Sequence, residues 1–210
     1  MIHAHSLGRA VRYYAGQTAF ASTTARLTFR ELHDRVAGIA ATLSGHGFQA
    51  GDRLAMLLPN QHDYLELVYA CAWLGVIAVP VNVRLSETEI DHVIGDASPR
   101  GLIRHSSLPA PTVKPSWELV LDREPLEVHS DRHPEPVYNP EATLALVYTS
   151  GTQAIPKAWC LLTPTSWQIS TTSTTGCPIE KAAYIFTPRR FSTSWTSRSC
   201  SRHPRSARAK

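Results

Sequence analysis

The sequence has no long uninterrupted apolar run and no clustered cysteines. The longest apolar stretch, Leu67 to Val79, is interrupted by Gly75 and closed by Pro80, so it is too short for a bilayer span of about 20 residues. The residues after Met1 lack the apolar core of a secretory signal. The four cysteines form no CxxC pair and show no metal-ligand spacing. These absences predict no transmembrane segment, no metal site and a reduced, cytoplasmic protein.

Acidic residues are nearly absent from the last fifty positions. Residues 161–210 hold eight Lys or Arg side chains against a single acid, Glu180, and so carry a charge of +7. The whole chain has a formal charge of +4, which leaves −3 on the preceding residues. The same segment holds eighteen Ser or Thr residues and shows no sustained helical or strand period. The composition therefore predicts a mildly acidic body followed by a basic tail.

The body of the chain alternates between helical and strand patterns. Capping-box sequences at Thr28–Glu31 and Ser86–Glu89 each precede apolar residues at helical spacing, and a further helix is predicted from Asp63 to Leu74. Short apolar runs predict strands at Asp52–Leu58, Val76–Val79, Gly101–Ile103, Glu118–Leu121 and from Thr143 onward. This alternation predicts an α/β fold with a largely parallel sheet flanked by helices.

A small, hydroxyl-rich segment follows the strand that starts at Thr143. Thr149, Ser150, Gly151 and Thr152 combine three hydroxyl groups with a glycine. Consecutive small residues let backbone amides converge on an anion, and hydroxyls add donors around phosphate oxygens. The segment is not a P-loop, because no Gly-Lys-Ser/Thr follows at the required spacing. Residue chemistry alone leaves two interpretations open, a phosphate-binding loop and an ordinary turn after a strand.

Six motifs occur in a fixed order along residues 10–152. In chain order they are Leu27–Leu32, Gly51–Ala55, Leu58–Asn60, Tyr64–Ala70, Leu74–Asn82 and Leu146–Thr152. Together they resemble the adenylate-forming superfamily of acyl-CoA synthetases, peptide-synthetase adenylation domains and luciferases. The resemblance implies that the chain is the N-terminal part of an AMP-binding synthetase domain, truncated after the phosphate loop.

The resemblance also implies a reaction and its ligands. In such enzymes a substrate carboxylate attacks the α-phosphorus of ATP, pyrophosphate leaves, and CoA usually takes the acyl group. It implies ATP with Mg²⁺ and CoA as ligands, a fatty or other carboxylic acid as substrate, and no nucleic-acid partner. The residues that match the family's phosphate loop are Thr149, Ser150, Gly151, Thr152 and Lys157. No catalytic residue is assigned.

The match to the family pattern breaks immediately after Thr152. The family continues Thr-Gly-x-Pro-Lys-Gly, whereas this chain has alanine at 154 and 158 in place of the glycines and keeps only Pro156 and Lys157. A frame change accounts for this break. Reading the third base of each codon with the first two of the next permits Thr-Gly-x-Pro-Lys-Gly-Met-Val-Leu-Thr-His, and Trp159-Cys160 forces the valine. The sequence therefore predicts two parts, residues 1–152 as the N-terminal portion of the synthetase domain and residues 153–210 as an out-of-frame, disordered tail.

Three functional interpretations follow. The first is a fragment of an ATP-dependent carboxylate–CoA ligase that is inactive as it stands, because family members need several hundred residues. The second is a nucleic-acid or membrane-surface protein that uses the basic segment Arg189–Lys210 to contact phosphates. The third is a non-catalytic partner that pairs with a full-length synthetase through an exposed sheet edge.

Overall fold

The computed structural model describes residues 4–22, 25–59, 61–124, 126, 134–137, 139, 142–149, 157–162 and 169–172. The helices within these ranges are α1 (Ala4–Tyr14), α2 (Phe29–Gly45), α3 (His62–Leu74) and α4 (Glu87–Ala97). The strands are β1 (Thr18–Ala21), β2 (Arg26–Thr28), β3 (Arg53–Leu57), β4 (Ile77–Pro80), β5 (Gly101–Arg104), β6 (Trp117–Val120), β7 (Thr143–Thr149), β8 (Lys157–Leu162) and β9 (Ile169–Thr172).

The main sheet has the strand order β6-β5-β3-β4-β7-β8-β9. Its first five strands run parallel to one another, and β8 and β9 add to them in antiparallel pairing. Strands β1 and β2 form a separate antiparallel pair. The α/β fold with a largely parallel sheet, predicted from the alternating patterns, is confirmed.

Side chains of the central strands alternate between two buried layers. On β3, Leu54 and Met56 pack with α2 and α3 on one face, whereas Ala55 and Leu57 pack with α4 on the other. All four side chains are fully buried. A strand that is covered on both faces has a continuous apolar run in its sequence, which is the pattern found in Asp52–Leu58. Helices therefore cover the parallel sheet on both faces.

Both predicted capping boxes are present. The Thr28 hydroxyl accepts a hydrogen bond from the backbone N–H of Glu31. In return, the backbone N–H of Thr28 donates to the Glu31 carboxylate at 2.8 Å. Ser86 and Glu89 repeat the arrangement at the start of α4. In both boxes, hydrogen bonds from the capping residue hold the pKa of the glutamate below its usual range. These caps satisfy backbone N–H groups that a helix start leaves without partners.

Gly75 ends α3 in the left-handed conformation, with φ of 71°. Its N–H donates to the Cys71 carbonyl, and the chain turns directly into β4. A Cβ at this position would lie 3.1 Å from the Ala50 Cβ. The glycine is therefore required both for the backbone conformation and for the close approach of the preceding loop.

Several elements were not predicted from the sequence. Helix α1 was missed because it has no side-chain cap pattern, and only Leu7 is fully buried among its described side chains. The pair β1–β2 and the strands β8 and β9 were also missed. The last two lie in the segment that the sequence predicted to be a disordered tail, where β8 pairs with β7 and β9 pairs with β8. The rest of that segment lies outside the described residues.

The helices in the described ranges are too short or too polar to cross a bilayer.

Candidate functional site

The predicted phosphate segment begins at the end of a buried parallel strand. Strand β7 pairs with β4 through Ala78 and Ala145, and Ala145 and Leu146 are buried on opposite faces of the sheet. Its last residue, Thr149, lies at the carboxyl edge of the parallel strands. In open α/β sheets ligands bind at this edge.

The structure brings two of the five predicted site residues together. Thr149 at the end of β7 and Lys157 at the start of β8 are directly opposed in the antiparallel register. Both residues therefore lie at the same edge of the sheet. Ser150, Gly151 and Thr152 lie outside the described residues, and for Thr149 and Lys157 the structure defines the backbone alone.

Strand β7 is tied to α4 just before this segment. The Tyr148 hydroxyl donates a hydrogen bond of 2.6 Å to the Asp96 carboxylate, and the contact is half-buried. Because Tyr148 directly precedes Thr149, this bond fixes the strand end from which the phosphate segment departs. Sequence reasoning missed the pair, since its two residues are separated by 52 positions.

A cation follows the neighbouring strand at the same edge. Arg84 lies in the turn after β4, where its backbone N–H donates to the Asn82 side-chain oxygen at 3.0 Å. The turn closes further as the Leu85 N–H donates to the Asn82 carbonyl. No carboxylate of the described ranges forms an ion pair with Arg84. No role was predicted for Arg84 from the sequence. Its position shortly after an apolar strand and a proline is the pattern that could have marked it as a residue at the carboxyl edge of the sheet.

A polar cluster lies at the carboxyl ends of β5 and β6. The Asp122 carboxylate accepts hydrogen bonds from the Ser106 hydroxyl and from the Ser106 backbone N–H, the second at 2.7 Å. These bonds lower the pKa of Asp122 to about 2. His105 Nδ1 lies 2.8 Å from the Ser107 hydroxyl and 3.9 Å from Asp122.

This cluster is not a catalytic triad. A serine nucleophile needs its base on Nε2 of the histidine, with the carboxylate on Nδ1. Here the serine and the aspartate both approach Nδ1. The cluster therefore fixes the turn after β5.

The remaining reactive groups of the described ranges offer little else to a ligand. Cys71 is fully buried, and burial raises the pKa of its thiol to about 12. No group of three or more His, Cys, Asp or Glu side chains is arranged to hold a metal within the part of the chain that the structure covers. Arg189–Lys210, on which the nucleic-acid interpretation depends, lies outside the described residues.

The family model of the AMP-binding enzymes matches residues 7–195, and the chain belongs to this family. The matched range runs past Thr152, so the match itself marks no boundary at that residue. The chain is 38% identical over 134 residues to a feruloyl-CoA synthase of an Amycolatopsis species, covering 62% of this chain and 27% of that protein. It is 33% identical over 141 residues to the fatty acid–[acyl-carrier-protein] ligase ScoC of Streptomyces coeruleorubidus, with the same coverage.

The fold has close counterparts among solved structures. The O-succinylbenzoate CoA synthetase MenE of Bacillus subtilis, in complex with AMP, matches with a TM-score of 0.65 and 28% identity. The match covers 74% of this chain and 41% of that one. The chain thus spans about a quarter of the length of the two curated relatives, at 27% of each.

Proposed function

We propose that residues 149–157 correspond to the ATP-phosphate loop of an ATP-dependent carboxylate–CoA ligase, and that residues 1–152 are the N-terminal portion of its AMP-binding domain. The observation that supports this most strongly is the position of Thr149, which ends the parallel strand β7 at the carboxyl edge of the sheet and begins the hydroxyl-rich segment. Lys157 lies opposite Thr149 in the register of β7 and β8, and the restored frame also permits a lysine at this position. Hydroxyls, small residues and one cation form a donor set that suits phosphate oxygens.

The chemistry of the parent enzyme is acyl adenylation followed by thioester formation. A carboxylate oxygen bonds to the α-phosphorus of ATP as the bond to the bridging oxygen breaks, and pyrophosphate leaves with its electron pair. The CoA thiol, losing its proton, then bonds to the acyl carbonyl carbon, and AMP leaves. Such displacements depend on positioning and on stabilising the charge of the phosphate oxygens. The loop hydroxyls and amides would serve that role, and Mg²⁺ would accompany ATP.

The substrate class is a carboxylic acid, aromatic or aliphatic. The matched relatives include a feruloyl-CoA synthase and a fatty acid–[acyl-carrier-protein] ligase, so the family match covers both kinds.

The loop as written departs from the family's pattern because of a frame change near Thr152. Ala154 and Ala158 stand where the family has glycine, and a Cβ at such positions keeps the backbone from approaching a ligand closely. Restoring one nucleotide replaces both alanines by glycine and keeps proline at 156 and lysine at 157. We infer that the 210-residue chain does not complete adenylation alone.

The nucleotide sequence around the Thr152 codon and downstream of Lys210 tests this proposal. The expected result is an open reading frame in the shifted register that encodes the rest of a synthetase. The frame-restored protein is then expected to catalyse ATP–pyrophosphate exchange that depends on an added carboxylic acid, whereas the 210-residue chain does not exceed a no-protein control. A stop codon within a few shifted codons would contradict the frame change. Exchange by the 210-residue chain itself would contradict its proposed inactivity.

A further inference from the structure

A surface cavity opens where α1, α2, α3 and residues 134–137 meet. Its volume is about 330 Å³, which falls within the range of small-molecule sites. Arg9, Arg12 and Tyr13 of α1 line one side, and His33 of α2 and Trp73 of α3 line the other. None of these residues belongs to the segment 149–157, so the cavity is separate from the proposed phosphate loop.

The cavity presents two cations. Arg9 and Arg12 lie three positions apart on α1, which places them on the same helix face. Helix α1 has no acidic residue, and no carboxylate of the described ranges forms an ion pair with either arginine. Two carboxylates are direct sequence neighbours of lining residues. The Asp34 carboxylate lies 3.1 Å from Nδ1 of His33, and Glu135, next to Pro136, is exposed and does not line the cavity.

Aromatic rings form the walls beside these cations. His33 and Trp73 meet edge to face with their ring centroids 5.2 Å apart. The Trp73 indole N–H donates to the Pro134 carbonyl at 2.6 Å, and with its side chain 4% exposed Trp73 lies beneath the cavity as part of the core. Tyr13 is 66% exposed and stands on the α1 side beside the arginines. The exposed Tyr13 ring and the part-exposed His33 ring therefore line the same cavity as the two arginines.

We propose that this cavity binds a small planar aromatic molecule that carries a phosphate or carboxylate group. The oxyanion pairs with the Arg9 and Arg12 guanidinium groups, whose planar forks match such oxygens. The aromatic ring lies against Tyr13 and His33, where stacked and edge-to-face contacts are favourable. A bare anion would lack the ring contacts, and a neutral ring would lack the charge contacts. Both features are required.

Titration of the full 210-residue chain with 1-naphthyl phosphate tests the proposal, with calorimetry for affinity and the Trp73 indole N–H resonance as a local probe. Three parallel titrations separate the contributions. 1-Naphthoate replaces the phosphate by a carboxylate, inorganic phosphate lacks the ring, and 1-naphthol lacks the charge. The variants are Arg9→Gln with Arg12→Gln, and Tyr13→Ala. The control is Arg30→Gln, which removes an exposed positive charge of α2 outside the cavity.

The expected result is saturable 1:1 binding of the two naphthyl anions, with a shift of the Trp73 resonance. Loss of both arginines should weaken binding by about tenfold or more, since charge-assisted hydrogen bonds are the strong ones. Tyr13→Ala should weaken it by about threefold through lost ring contact, and Arg30→Gln should leave it unchanged. The proposal is overturned by absence of saturable binding, by equal binding of inorganic phosphate or 1-naphthol, or by equal losses in the Arg30 control and the double variant.

Discussion

The Arg35 guanidinium on α2 holds the Glu66 carboxylate on α3 through two parallel hydrogen bonds, from Nε to Oε1 at 2.8 Å and from Nη2 to Oε2 at 2.9 Å. Glu66 is buried to 1% exposure, whereas Arg35 keeps 40% of its side chain exposed. Hydrogen bonding to Glu66 raises the pKa of Arg35 above its ordinary value. The pair locks together the two helices that cover one face of the sheet.

Replacement of Arg35 by methionine should destabilise the chain strongly. It leaves a buried carboxylate without its partner, and breaking a buried pair in this way costs about 3 kcal/mol or more. The double variant Arg35→Met with Glu66→Leu should recover most of the loss, because no unpaired charge remains. Urea unfolding measures both values, and Arg30→Met, on the exposed part of α2, is the control. A loss for Arg35→Met no larger than that of the control would contradict the structural role of the pair.

Tyr148 and Asp96 should be coupled in stability. Tyr148→Phe keeps the ring and removes the hydroxyl that donates to Asp96 at 2.6 Å, and a single such bond contributes about 1 kcal/mol. A double-mutant cycle with Asp96→Ala, which removes the acceptor, measures their interaction free energy, which we expect to be about 1 kcal/mol. Fully additive effects of the two substitutions would show that the bond does not hold β7 against α4.

The pKa of Asp122 should depend on Ser106. Hydrogen bonds from the Ser106 hydroxyl and backbone N–H lower the pKa of Asp122 to about 2, so Ser106→Ala should raise it toward its ordinary value of about 3.9. A carboxyl group with a lowered pKa in the folded state stabilises that state above its unfolded pKa. The stabilisation is therefore lost as the pH falls from about 4 toward 2. Carbon NMR titration of the carboxyl group measures the shift, with Ser116→Ala as a control, and an unchanged pKa in Ser106→Ala would refute the assignment.

Cys71 should be inert in the folded chain. Burial raises the pKa of its thiol to about 12, so at pH 8 only about one molecule in ten thousand would carry the reactive thiolate. In a background of Cys160→Ser, Cys177→Ser and Cys200→Ser, a thiol reagent at pH 8 should label Cys71 only after denaturant is added. Rapid labelling of the native chain would mean that α3 is not packed against the sheet as described.

Local patterns in the sequence predicted the elements whose form is set by neighbouring residues. Thr28 with Glu31 and Ser86 with Glu89 start their helices by contacts within four residues, and both starts are confirmed. Strand β8 was missed because its form depends on pairing with β7 rather than on its own period.

The contacts of the site and of the helix layer that could not be predicted are long-range ones. The Tyr148–Asp96 bond joins residues 52 positions apart, and the Arg35–Glu66 pair joins residues 31 apart. No local spacing reports such contacts, which depend on the strand order of the sheet. The phosphate segment was predicted from its resemblance to a family motif, since its residues alone left an ordinary turn after the strand open as an interpretation.

The rate of carboxylate-dependent ATP–pyrophosphate exchange, measured for the frame-restored protein with and without the loop hydroxyls, tests the assignment of Thr149–Thr152 to the ATP phosphates most directly. Ser150→Ala or Thr152→Ala should lower the exchange rate by about 10²–10³, the usual loss for one charge-stabilising donor, with a far smaller effect on the free energy of unfolding. Thr143→Ala, at the opposite end of β7, serves as the matched control and should retain activity. Normal exchange by the Ser150 and Thr152 variants would contradict the assignment of this loop to the phosphates of ATP.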